Sequence, residues 1–117
     1  MATEKHERIK QQIGDPFKVY AAIERAAKDG FDSLTEDDLF LCKWYGLYTH
    51  RHEKDYFMLR TKQPNGFVTI QQLRTIAEIT EKQNKGFADI TTRQDFQLHW
   101  CQTSQLLDIL NKLQTVG

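Results

Sequence analysis

The chain of 117 residues has only two cysteines and two prolines, and no surplus of charge of either sign. Each shortage excludes something. Cys42 and Cys101 are too few for a disulfide framework, and they point to a cytosolic protein with two reduced thiols. No run approaches the roughly 20 apolar residues that a membrane span requires. The N-terminus, Met1-Ala2-Thr3-Glu4-Lys5-His6-Glu7, is polar and mixed in charge, without the apolar core of a signal peptide. Sixteen Lys and Arg balance sixteen Asp and Glu, and the balance is local. Residues 1–54 hold 9 basic and 10 acidic side chains and residues 55–117 hold 7 and 6, so neither part is a polyanion-binding surface on charge alone. There is no internal repeat and no low-complexity tract.

What is present fits one domain. Hydrophobic residues at 39% and aromatics at 11% are enough for a core, and a chain of this length buries roughly two thirds of its unfolded surface. Residues 1–12 read as a frayed helix with Ile9 and Ile13 as its apolar positions. Asp15-Pro16 reads as a helix start, with Asp as N-cap and Pro at the first helical position. Phe17, Val19, Tyr20 and Ile23 follow at helical spacing until Gly30, and Phe31 is expected to pack back on that helix. Thr35 opens a short helix with Glu36, Asp37 and Asp38 in its first turn, where the helix dipole favours acids.

After Gly46 the character changes. Tyr48–His52 and Tyr56–Arg60 are rich in strand formers. Pro64-Asn65-Gly66 is a turn by its chemistry. Thr69-Ile70-Gln71-Gln72 is a capping box, and Leu73, Ile76, Ala77 and Ile79 give the following helix its apolar face. A strand is expected over Phe87–Thr91. In the next, Phe96, Leu98 and Trp100 alternate with Gln97, His99 and Cys101, a half-buried strand with the first set inward. Thr103 or Ser104 caps a last helix whose stripe is Leu106, Ile109, Leu110 and Leu113. From residue 56 the order is strand, helix, strand, strand, helix. The expectation is an α+β fold, a small antiparallel sheet with helices on one face, divided as a helical arm over 1–46 and a sheet domain over 47–117.

Chemistry-bearing residues are sparse. His50 and His52 are two apart and share a strand face, but with His6 and His99 they do not make a metal site, and no Cys-x-x-Cys accompanies them. Phe57, Phe96 and Trp100 are better read as core than as base-stacking platforms, because the basic-glycine-aromatic signature of RNA-binding sheets is missing, so no nucleic-acid partner is expected. The unusual stretch is Ala88-Asp89-Ile90-Thr91-Thr92-Arg93-Gln94-Asp95-Phe96-Gln97-Leu98-His99-Trp100. Strand residues run into a polar corner and straight back into a strand. A guanidinium held there is a good clamp for oxyanions, while an exposed turn arginine is the plainer account.

That stretch resembles the ferredoxin-like half-domain of sirohaem-dependent nitrite and sulfite reductases. Lys43-Trp44-Tyr45-Gly46-Leu47-Tyr48 and Tyr56-Phe57-Met58-Leu59-Arg60-Thr61-Lys62-Gln63-Pro64-Asn65-Gly66 resemble the N-terminal region of the same family, in the same order, as do the helix from Thr69 to Asn84 and the one ending at Val116-Gly117. The resemblance covers nearly the whole chain and is weakest over residues 1–30. It implies the N-terminal half-domain of an enzyme that reduces nitrite to ammonia or sulfite to sulfide, using sirohaem coupled to a 4Fe-4S cluster. It implies that Arg93 faces sirohaem and the bound anion as the catalytic arginine. Thr92, Gln94 and Gln97 then position Arg93 or meet sirohaem carboxylates, with Arg60 as a weaker candidate for the same site.

The chain also departs from that family. Four cluster thiolates cannot be drawn from Cys42 and Cys101, and Thr61-Lys62-Gln63 is more polar than the family's strand there. No cofactor is therefore expected in this chain alone, and the isolated chain is expected to be colourless and inactive as a reductase. The implied partners are a second half-domain or a homodimer partner, the remainder of a reductase, and ferredoxin or another electron donor, in the cytoplasm or a plastid-like stroma. Phe57, Leu59, Phe96, Leu98 and Trp100 are expected to leave an apolar sheet surface for self-association. The alternatives are a non-catalytic interaction or regulatory module, and a small tetrapyrrole-binding or electron-transfer module.

Overall fold

The Asp15-Pro16 pair does open a helix. The Asp15 carboxylate accepts the Phe17 N–H at 3.0 Å, and Pro16 already has helical backbone angles. In the computed structural model, which describes residues 2–49, 53–83 and 85–117, this is helix α2, Phe17–Asp29, preceded by α1, Ala2–Ile13. Gly30 ends α2 with φ +92°, a region that favours glycine. Phe31 sits in a short 3₁₀ turn and tilts against Phe57, with ring centroids 5.6 Å apart. Thr35 then caps α3, Glu36–Leu41, by a reciprocal box. Its hydroxyl accepts the Asp38 N–H at 3.1 Å, and the Asp38 carboxylate accepts the Thr35 N–H at 3.0 Å.

The sheet consists of β1 Leu47–Thr49, β2 Tyr56–Arg60, β3 Asp89–Ile90 and β4 Phe96–Gln102, in the order β1-β2-β4-β3 with every pair antiparallel. Helix α4, Ile70–Gln83, lies between β2 and β3 in the chain, and α5, Leu106–Thr115, follows β4. The expected capping box starts α4: Gln72 N–H to Thr69 Oγ1 at 3.0 Å and Thr69 N–H to Gln72 Oε1 at 2.9 Å. Among the described residues the fold is α+β with a four-stranded antiparallel sheet and five helices, in the expected order from residue 56. One buried cluster joins Leu47, Phe57, Leu59, Leu98 and Cys101 of the sheet to Ile9, Val19, Ile23, Leu41, Cys42, Ile76, Ile79, Leu106 and Ile109. It draws on residues from both sides of position 46.

Several local expectations are corrected. The inward set on β4 is Leu98 and Cys101, not Phe96, Leu98 and Trp100. Phe57 pairs with Cys101 and Leu59 with Leu98, so Met58 alone faces both His99 and Trp100. This is a β-bulge, and one extra residue reverses the in–out alternation beyond it. Trp100 has φ +55°, uncommon for a bulky side chain. Its ring meets Phe87 edge-on at 5.4 Å and lies under the Lys85 ammonium at 4.2 Å.

The strand expected over Phe87–Thr91 shrinks to Asp89–Ile90 at the sheet edge. On α4 the buried residues are Ile76, Ile79 and Thr80, while Leu73 is 48% exposed and Ala77 is exposed too. Neither Thr103 nor Ser104 caps α5 with its side chain. A 3₁₀ turn intervenes, and Thr103 instead gives both its N–H (3.0 Å) and its hydroxyl (3.2 Å) to the Asp55 carbonyl. The strand expected over Tyr48–His52 appears as Leu47–Thr49; its His50, Arg51 and His52 portion lies outside the described residues.

Candidate functional site

Strand β2 ends in a grip on two sides. The Arg60 N–H donates to the Gly46 carbonyl at 2.8 Å, and a Cβ on Gly46 would sit 2.4 Å from the Arg60 carbonyl oxygen. With φ +73° besides, position 46 admits glycine alone without displacing the strand. One residue on, the Thr61 N–H donates to the Phe96 carbonyl at 3.0 Å. The Thr61 hydroxyl accepts the Phe96 N–H at 3.2 Å and donates to Gln63 Oε1 at 2.7 Å. The chain then leaves the sheet through the Pro64–Gly66 turn, where Asn65 takes φ +57°.

The corner between β3 and β4 is a three-residue hairpin loop. Thr91 N–H bonds the Asp95 carbonyl at 3.0 Å, Gln94 N–H bonds the Thr91 carbonyl at 2.9 Å, and Gln94 takes the left-handed conformation that closes such loops. Gly66 makes room for it: a Cβ there would lie 2.9 Å from Gln94 Oε1. The two loops therefore dock against each other.

Between them, the 3₁₀ turn Cys42–Tyr45 and the end of α5 lies an open cleft of about 1100 Å³. Lys43, Arg60, Lys62 and Arg93 line it, with Asp95 as its carboxylate and Phe17, Tyr20, Trp44, Tyr45 and Tyr48 as its aromatics. The Arg60 guanidinium carbon stands 5.0 Å from the Tyr48 ring centroid, a cation–π arrangement. Its Nε is buried and finds no hydrogen-bond partner among the described residues. A buried donor left unmet costs about 1–3 kcal/mol, so such a group in a cleft is a candidate ligand contact.

Of the residues singled out in the sequence, the structure brings Arg60 and Arg93 together on this cleft. Gln94 lines a smaller neighbouring groove of about 380 Å³. Thr92 is exposed in the loop, and Gln97 pairs in register with Arg60 and with Asp89. Lys62 and Lys43 were not among those candidates. The position of Lys62, two residues after Arg60 just past a strand end, was the available signal. Among the described residues no group of three or more His, Cys, Asp or Glu side chains is placed to hold a metal ion. His99 bonds Asp89 at 2.9 Å, and His6 stacks on Phe40.

The cysteines are not nucleophiles. Both are buried, and burial, reinforced by the Asp38 charge, pushes the Cys42 thiol up to about 11. The Tyr45 phenol is also raised, first by burial and then by Asp15 and Tyr20. A thiol whose folded pKa lies above its unfolded value adds stability that is complete below the unfolded pKa and is lost as pH rises. Stability should therefore fall between about pH 9 and 11, with Cys42 contributing on the order of 3 kcal/mol. Urea denaturation across that range checks it: Cys42→Ala should flatten the alkaline loss, and an unchanged slope would refute it.

Comparison with known proteins agrees with this architecture. Residues 48–116 match the nitrite/sulfite reductase ferredoxin-like half domain. A sulfite reductase (ferredoxin) of Mycolicibacterium paratuberculosis is 34% identical over 92% of this chain and 22% of that protein. An assimilatory ferredoxin-dependent nitrite reductase of Haloferax mediterranei is 33% identical over 100% of this chain and 22% of that protein. The solved structure of the Mycobacterium tuberculosis NirA protein superposes with a TM-score of 0.84 at 32% identity, covering 96% of this chain and 24% of that one. The chain thus spans 22% of the length of these curated relatives. It belongs to the nitrite/sulfite reductase ferredoxin-like half-domain family.

Proposed function

We propose that this half-domain forms one wall of the sirohaem and anion site of a nitrite or sulfite reductase. The observation that carries the reading is Arg60: a guanidinium laid on Tyr48, with a buried and unmet Nε, in a cleft that also holds Lys43, Lys62 and Arg93. Sirohaem is a flat macrocycle rimmed with carboxylates. The donor set fits it, with aromatic walls for the plane and separate cations for the rim. When bound, sirohaem supplies the redox centre at which nitrite or sulfite accepts electrons. A 4Fe-4S cluster does not fit, since its four thiolates exceed the two buried cysteines.

The residues divide the work by burial. Arg60, half-buried and fixed by Tyr48, is the contact for the small anion, where a planar fork of donors offsets the negative charge that builds during reduction. Arg93 is exposed at the corner and meets carboxylates at the rim. Lys62 adds a second rim contact. Thr92 and Gln94 flank Arg93, and Gln97 lies beside Arg60 in the sheet, where they support those arginines or meet the rim carboxylates themselves. Ferredoxin appears in the names of the relatives and is the proposed electron donor of the whole enzyme, in the cytoplasm or a plastid-like stroma.

Uroporphyrin, a carboxylate-rimmed macrocycle, tests this on the chain itself, with quenching of Trp44 in the cleft as the signal. Arg60→Ala and Arg93→Ala should each weaken binding about tenfold, the worth of one charged hydrogen bond. Arg60→Lys should recover part of the loss, because an ammonium lacks the fork. Equal affinity in the parent and both alanine variants would defeat the reading.

Partner packing belongs to the same proposal, on a corrected surface. Phe57, Leu59 and Leu98 are core, not a free sheet face. The large apolar residues left exposed include Phe67, Ile70 and Ile90, and Val68 and Ile90 line the small groove beside the corner. This is the face for the rest of a reductase or its second half-domain and, when this chain is studied alone, for a second copy. Sedimentation at high concentration should show a dimer that Phe67→Asp dissociates; a parent that stays monomeric would contradict it.

A further inference from the structure

Asp95 is the one buried carboxylate among the described residues, at 7% exposed, and it lines a cleft otherwise charged by cations. Anion binding gives it no role, and a buried carboxylate is kept only where it is well bonded. Its partner is Thr91, whose hydroxyl donates to the Asp95 carboxylate. The same hydroxyl oxygen accepts the backbone N–H of Arg93 at 3.2 Å. A hydroxyl has one hydrogen to give and lone pairs to receive, so a single side chain ties the loop's base to the residue at its tip.

We propose that Thr91 and Asp95 are positioning residues: the carboxylate orients the Thr91 hydroxyl, and the hydroxyl fixes the Arg93 backbone so that its guanidinium is presented to the cleft. This rests on the reading of the cleft as a carboxylate and anion site. Thr92, the neighbouring hydroxyl, is exposed at the tip and takes no part in this linkage. Without the linkage, the loop keeps its two closing backbone bonds but the Arg93 N–H loses its partner, and each binding event must order the exposed Arg93 further. With it, the loop is ordered before the ligand arrives.

The test has two readouts on the intact chain. The first, amide hydrogen exchange at Arg93 by NMR, needs no ligand. Thr91→Val, which keeps the shape and removes the hydroxyl, should speed that exchange about tenfold or more, while Thr91→Ser stays within about threefold of the parent. Should Thr91→Val fail to fold, Asp95→Asn carries the same test, with a neutral acceptor and a smaller rise in the same exchange rate. The second readout is uroporphyrin affinity. Thr91→Val should weaken it by about as much as Arg93→Ala, and the double variant should be no weaker than Arg93→Ala alone, because both changes act through one group.

Unchanged Arg93 exchange in the variant that folds overturns the proposal, as do losses that multiply in the double variant. A parent chain that does not bind uroporphyrin counts against the reading of the cleft, and the exchange rates then decide the positioning role by themselves.

Discussion

The backbone of Arg60 is held between two neighbours, the Gly46 carbonyl at its N–H and, one residue later, the Phe96 carbonyl at the N–H of Thr61. This double grip fixes where β2 stops being a strand. It sets which residues stay in the sheet and which turn into the cleft. Gly46 permits the close approach, since a side chain there would collide with the Arg60 carbonyl. The Thr61 hydroxyl reinforces the other side by accepting the Phe96 N–H. Arg60 is thereby stiff in its backbone and laid on Tyr48 in its side chain, while Lys62 follows on the first turn out of the sheet.

The second cation-bearing loop is registered on the first. Phe96 is the first residue of β4, so the grip on Thr61 also fixes where the hairpin carrying Arg93 begins. Gly66 and Gln94 then meet at the far ends of the two loops. Long charged side chains bind a ligand weakly if the ligand must order them. Here the ordering is built into backbone contacts, and the cations converge on one cleft from elements remote in sequence.

Much of this was legible in the sequence because it depends on local chemistry. Thr35 and Thr69 cap their helices as their spacing demands, Asp15-Pro16 opens α2, and the strand–helix–strand–strand–helix order from residue 56 is the observed one. The errors lie where a tertiary event overrides a local pattern. The bulge at Trp100 has no glycine to announce it, and it moves Cys101 inward where simple alternation places Trp100. Leu73 and Ala77 satisfy helical spacing yet stay exposed, because what covers a helix face is decided by the arrangement of the other elements. At the site, Arg93 was visible as a guanidinium at a polar corner. The buried Nε of Arg60 was not, because burial at a strand end is a property of packing. The Thr91–Asp95 linkage was hidden for the same reason: two hydroxyls, at 91 and 92, look alike until the loop closes.

The cleft at the end of β2 is proposed to receive a carboxylate-rimmed macrocycle. Amide chemical-shift mapping on this chain with uroporphyrin locates the ligand directly. The largest shifts are expected over Trp44–Tyr48, Arg60–Gln63 and the Arg93 corner, three of the segments that line the cleft from separate parts of the chain. Shifts centred instead on the exposed apolar run of Phe67, Ile70 and Leu73 would contradict it.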